Sequence, residues 1–262
     1  LCYKFLMFGA LGVSFMPVFA EYLMQKKEQE AWEIASTVIN ATALLLALVA
    51  GIGVLCAGPL VKMLVPGFAR ETYALTVALT RVVIPVGLFT GIMGLLIGIY
   101  RVHLRFILPA VVNLVGPLTL IIFLIAASSR IGIFSLAFGT LAGAFLGFVM
   151  LCVSFFIRRP AYRLVINFRH PAIKRIFLLM VPLVGADLLS KGGVILFQVF
   201  ASFLKEGSIT SFVLAYRVVS VPVIIFSSAA KSVLFPLLSR HSAEGDTAML
   251  GRHGSDEFVV VV

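Results

Sequence analysis

Apolar residues run in long blocks along this chain, and polar residues collect in short stretches between them. Seven such blocks can be drawn. Residues 1–20 contain Lys4 and Pro17 and end at a polar turn over 21–33. Residues 34–61 carry no charge, and 73–100 carry only Arg81. Residues 106–129 and 131–157 are uncharged and are separated by Arg130. Residues 176–204 contain Asp187 and Lys191, and 207–239 contain Arg217 and Lys231. A helix needs about 20 residues to cross a hydrocarbon layer about 30 Å thick, and each full block exceeds that. The alternation of a membrane β-barrel is absent. The pattern predicts an all-α, polytopic membrane helical bundle with about seven transmembrane helices.

Composition agrees. The chain is 61% hydrophobic and only 12% charged, whereas soluble domains are about a quarter charged. Its net charge of +10 comes from 21 Lys and Arg against 11 Asp and Glu. In a soluble protein that excess would suggest nucleic acid; in a polytopic one, cations gather in cytoplasmic loops. The aromatic residues fall in apolar runs rather than between basic ones, so no nucleic-acid partner is expected. Cys2, Cys56 and Cys152 lie in apolar segments without metal-ligand spacing, and His103, His170, His241 and His253 are scattered. There is no phosphate loop, GxSxG or HExxH. No enzyme, metal or cofactor is expected.

Alternating the spans across a bilayer tests the assignment by charge. One side receives Lys26, Lys27, Arg101, Arg105, the six cations of 158–175, Arg240 and Arg252, twelve in all. The other receives Lys62, Arg70, Arg130 and Lys205, four in all. The first side is therefore read as cytoplasmic. The connection at 158–175, RRPAYRLVINFRHPAIKR, alternates cations with Tyr162, Leu164, Val165, Ile166 and Phe168 and is punctuated by Pro160 and Pro171. It reads either as a segment lying on the cytoplasmic membrane surface or as a basic loop with a few buried side chains. Either way it is the natural boundary between two helical lobes. Residues 1–157 then form a partial N-terminal lobe, 158–175 a surface linker, 176–240 two helices of a C-terminal lobe, and 241–262 a divergent tail. The chain begins at Leu1 inside an apolar stretch, as expected of a fragment whose start lies upstream.

Gly87, Gly91, Gly94 and Gly98 share one helical face, as do Gly139, Gly143 and Gly147. Small residues at this spacing let membrane helices approach closely. Pro85, Pro117, Pro182 and Pro222 fall inside spans, where each removes a backbone hydrogen bond and predicts a bend.

The charges inside spans are the candidate chemistry. Arg217 lies about ten residues into its block, roughly 15 Å deep at 1.5 Å per residue. A cation there costs from about 3 kcal/mol upward unless it meets water or a counter-charge. Lys4 and Arg81 likewise have no local acid. A shared wet cavity of positive potential would lower the cost for all three and select an anion. Arginine's planar fork suits phosphate. The alternative for Arg217 is a structural role, bonded to helix-end carbonyls. Asp187 and Lys191, four residues apart, can neutralise each other. Otherwise Asp187 is a cation or proton site and Lys191 faces the substrate. Lys231 lies near the cytoplasmic end and is expected to snorkel outward.

Several strings occur in a telling order: GALGVSFMPVFAEY (9–22), PGF (66–68), RFILPA (105–110), ASFLKEGS (201–208), AYRVVSVP (215–222) and LFPLLSRHSAEGD (234–246). Together they resemble the MurJ/MviN lipid II flippases of the MOP superfamily, whose bundle is MOP/MATE-like. The resemblance covers about residues 4–246. It implies a 14-helix, two-lobe, alternating-access transporter, of which this chain would be helices two to eight. It further implies transfer of an undecaprenyl-pyrophosphate-linked precursor, lipid II, across the bacterial inner membrane, by a protein expected to be a monomer among membrane lipids. By the same comparison Arg217 matches an essential cavity arginine, Lys4 matches an essential arginine with the charge kept and the fork lost, and Arg81, in TRVVIP, matches a basic position. Lys191 stands where relatives carry a neutral polar residue, and the text after Asp246 departs from the family. A polysaccharide-lipid flippase or drug–cation antiporter of the same superfamily is the competing reading, and a non-transporting remnant is a third.

Overall fold

The computed structural model describes residues 9–157, 162–204, 207–208 and 210–223. Lys4, Lys231 and the 241–262 tail lie outside them. Among the described residues eight helices are seen: α1 (Gly9–Met24), α2 (Glu28–Leu55), α3 (Ala57–Leu64), α4 (Arg70–Val102), α5 (Ile107–Ile131), α6 (Phe134–Ile157), α7 (Pro171–Ala201) and α8 (Thr210–Val223). No strand occurs among the described residues. Of these helices α2, α4, α5 and α6 are long and apolar enough to cross a membrane, and α8 is a shorter apolar helix. The all-α membrane bundle expected from the hydropathy pattern is what forms.

Three boundaries differ from the apolar blocks for reasons of backbone chemistry. The block 34–61 is two helices that meet just before Pro59, a residue type that in a helix interior crowds the carbonyl four positions back. The chain instead breaks at Cys56 (φ −91°, ψ 16°), and Pro59 falls in the first turn of α3. At the other end α2 begins in polar sequence, with Glu28 and Glu30 in its first turn, where the positive end of the helix dipole favours acids. Pro171 opens α7. His170 caps that helix, its Nδ1 accepting from the Ala172 N–H at 3.2 Å, and proline at the first helical position loses no bond.

The helices up to Phe203 form one compact unit and the chain from Leu204 a second. In the first, α1 packs on α4 and α7, α2 on α4, and α6 on both α4 and α5. Phe15, Phe19, Ile34, Leu46, Leu95 and Leu151 are fully buried. α5 turns Leu114, Leu118, Ile121, Ile122 and Ile125 outward, the surface of a helix that faces lipid. The α6 glycines make the α5–α6 contact. A Cβ at Gly143 would stand 2.8 Å from the Gly116 carbonyl oxygen, and one at Gly139 would stand 3.0 Å from Phe123 Cβ. On α4, Gly98 faces Met16 and Gly91 faces Leu46, while a Cβ at Gly94 would meet nothing.

Candidate functional site

Arg81 lies on α4, eleven residues past Arg70 and so about 16 Å along the helix axis. Its side chain is exposed on the surface of the protein, and among the described residues it has no ion-pair partner. The sole acid on α4 is Glu71, in the first turn. Arg217 is exposed on α8, whose fourteen residues contain no acid. It belongs to the second compact unit, and Arg81 to the first. Nearby on α8, Phe212 and Tyr216 stack with centroids 6.3 Å apart, and Ser220 Oγ donates to the Tyr216 carbonyl at 2.6 Å. Asp187 and Lys191 are one turn apart on α7; their side chains, like the whole of Lys4, lie outside the described structure.

What the fold does assemble is the basic end of the first unit. Phe19 of α1, Trp32 of α2 and His103 after α4 meet with ring centroids 5.8 to 6.0 Å apart. Tyr22 meets His170 edge-on at 5.7 Å. The connections after α1, α4 and α6 are therefore together, as the alternation of charged loops requires. At the opposite end the Gly67 N–H donates to Ser202 Oγ at 3.2 Å, which joins the α3–α4 turn to the end of α7.

The connection after α6 is neither a helix nor a free loop. From Tyr162 to Asn167 it lies along α2, held by Glu33, Ser36, Thr37 and Asn40. Ser36 Oγ accepts the Arg163 N–H at 3.0 Å, and Thr37 Oγ1 accepts the Asn167 N–H at 3.3 Å. Asn40 Nδ2 donates to the carbonyls of Arg163 (3.2 Å) and Val165 (3.1 Å), and its Oδ1 accepts from the Tyr162 hydroxyl. The Asn167 amide donates to Glu33 Oε1 at 2.9 Å. Positions 33, 36, 37 and 40 share one helical face. That spacing was the available signal for this contact, hidden because hydropathy averaging absorbs three polar residues into an apolar block.

Burial pushes the Tyr162 hydroxyl above the usual tyrosine range; the neighbouring Cys152 adds to this, and the bond to Asn40 partly offsets it. The phenol thus remains a donor at neutral pH. Beside this strap is a cleft of about 260 Å³ lined by Gln29, Glu33, Arg163 and Val165. A second, of about 220 Å³, lies between α1 and α7 and is lined by residues that include Glu21, Tyr22 and Arg175.

With the geometry in place, comparison with known proteins identifies the family. The family model described as lipid II flippase MurJ matches residues 1–256, past Asp246 and into the tail. The lipid II flippase MurJ of Burkholderia cenocepacia is 24% identical over 258 residues, covering 91% of this chain and 48% of the relative. The probable lipid II flippase MurJ of Bdellovibrio bacteriovorus is 27% identical over 247 residues, covering 90% and 46%. Among solved structures, a lipid II flippase MurJ in an inward closed conformation superposes with TM-score 0.75 at 23% identity, over 93% of this chain and 50% of that one. The chain spans about half the length of the relatives it matches. Matched from its first residue through residue 256, and folded as a multi-pass helical bundle of the same architecture, the chain belongs to the lipid II flippase MurJ family.

Proposed function

We propose that this chain is the portion of a lipid II flippase that supplies most of one lobe, the inter-lobe connection and the first helices of the next. The whole transporter moves an anionic polyprenyl-pyrophosphate lipid across the bacterial inner membrane by alternating access. Lys4, Arg81, Lys191 and Arg217 form the cationic lining that receives the diphosphate, and Asp187 is a coupling-cation or proton site. Residues 1–157 belong to the first lobe, 158–175 to the linker and 176–240 to the second lobe, and the protein acts as a monomer.

The observation that carries this reading is the family match over residues 1–256. It is supported by Arg81, a cation well inside a membrane-length helix, exposed and, among the described residues, without an acid to neutralise it. A permanent charge at that depth is stable when it faces water or an anion. An antiporter of cationic drugs would place acids there instead.

The test uses the full-length protein in a strain depleted of its own flippase. Arg81→Ala and Arg217→Ala are expected to reach the membrane at normal levels and fail to restore growth. Arg→Lys variants should rescue partly, since charge without the planar fork binds phosphate less specifically. Full rescue by both alanine variants overturns the cationic-lining reading.

A further inference from the structure

The strap on α2 has a second face. Between residues 162 and 168 the chain presents backbone groups and the side chains of Tyr162 and Asn167 to α2, while Leu164, Ile166 and Phe168 are turned outward. Leu164 is 88% exposed, Ile166 45% and Phe168 63%. Three large apolar side chains thus project outward at one end of a membrane bundle. Arg163, Arg169 and Lys174 accompany them, and residues 162–175 contain no acid.

Position along α2 places this face in depth. Asn167 is held by Glu33 and Thr37, Arg163 by Ser36 through its N–H and by Asn40 through its carbonyl, and Val165 by Asn40. Seven residues of helix separate Glu33 from Asn40, about 10 Å along the axis. The strap therefore climbs from the last acid of α2 into its apolar part. Non-helical backbone persists at such depth where protein satisfies its polar groups, which is what Ser36, Thr37 and Asn40 do. Apolar side chains about 5–10 Å into the boundary between headgroups and acyl chains are the geometry of an interfacial anchor.

We propose that this strap is a lipid-docking surface. Leu164, Ile166 and Phe168 insert among the acyl chains of the leaflet at the basic end, and Arg163 and Arg169 engage the phosphates of anionic phospholipids there. The occupant follows from charge: Glu33 lies on the α2 side of the strap, the segment itself carries cations and no acid, and such a face is complementary to an anionic leaflet, where a basic side chain near the surface gains roughly fivefold in local binding. The docking fixes the strap between two partners, α2 on one side and lipid on the other.

The experiment uses full-length protein, native cysteines replaced by serine, with a nitroxide at Leu164→Cys, Ile166→Cys or Phe168→Cys. The vesicles are phosphatidylcholine with or without phosphatidylglycerol. Collision with oxygen and with a water-soluble nickel chelate reports depth. All three labels should be shielded from nickel, with 164 and 166 deeper than 168, against a water-exposed control at Lys27→Cys. Nickel accessibility equal to that control would overturn the proposal by showing a strap that faces water, and shielding from both reagents would overturn it in favour of a protein partner. A second measurement leaves the cysteines intact: the share of motionally restricted spin-labelled phosphatidylglycerol over phosphatidylcholine around the protein. Arg163→Gln and Arg169→Gln should each reduce that preference, by up to about fivefold. No change in the double variant overturns the anionic selectivity.

Discussion

The guanidinium of Arg175, at the start of α7, lies 2.7 Å from the carboxylate of Glu21, near the end of α1. This pair joins two helices 154 positions apart, yet its side chains are 58% and 38% exposed. At that exposure water screens most of the attraction. Glu21→Gln and Arg175→Gln, singly and together, should give a coupling free energy below about 1 kcal/mol in a thermal-stability cycle. A larger coupling would mean that the pair is shielded from solvent in the working protein.

At the opposite end, Gly67 is set by contact. A Cβ there would fall 2.7 Å from the Ser202 carbonyl carbon and 2.9 Å from the Phe203 amide nitrogen. These are backbone atoms and cannot swing aside. Gly67→Ala should cost about 1–3 kcal/mol, as overpacking does, and lower the melting temperature. Gly51→Ala is the control, since nothing lies within 4 Å of its new methyl and alanine favours helix. Equal melting temperatures for the two variants would contradict the close approach.

The α5–α6 contact makes an asymmetric prediction. Alanine at Gly143 would press on the Gly116 backbone, with 2.8 Å to its carbonyl oxygen and 3.0 Å to its Cα, whereas alanine at Gly116 would meet nothing within 4 Å. Gly143→Ala should therefore destabilise by about 1–3 kcal/mol and Gly116→Ala by far less. Detergent-resistance or unfolding measurements on the pair will show whether the order holds.

Asn40 is the side chain that the strap depends on most. Asn40→Leu removes the partners of two carbonyls and of the Tyr162 hydroxyl at once. Each group left unsatisfied costs about 1–3 kcal/mol where water cannot replace the bond. The strap should detach before the bundle melts, and trypsin should cut at Arg163 and Arg169 faster than in the unmodified protein. An unchanged cleavage rate would show that Ser36, Thr37 and Glu33 hold it without Asn40.

Much of this architecture was legible from the chain alone. Long apolar blocks and charge-biased loops reported the all-α membrane bundle because a bilayer leaves few alternatives: spanning helices must be about 20 residues long and nearly uncharged. The Gly139, Gly143 and Gly147 stripe reported a close helix approach for a similarly local reason, since residues three and four apart share a face whatever packs on it, but that α5 would be the partner was not legible there. The candidate cations stood out because charge within an apolar block is costly wherever it points. Arg81 and Arg217 were found by cost rather than by geometry.

Other features depended on three dimensions. That residues 34–61 would split at Cys56, that Pro171 would open a helix, and that residues 162–167 would be strapped to α2 each involve a backbone group finding its partner. For the strap those partners are about 125 positions away. Hydropathy says which segments leave water. It does not say where a carbonyl of a connecting segment will find its donor, and only the packed fold, by bringing Asn40 beneath Arg163 and Val165, decides that.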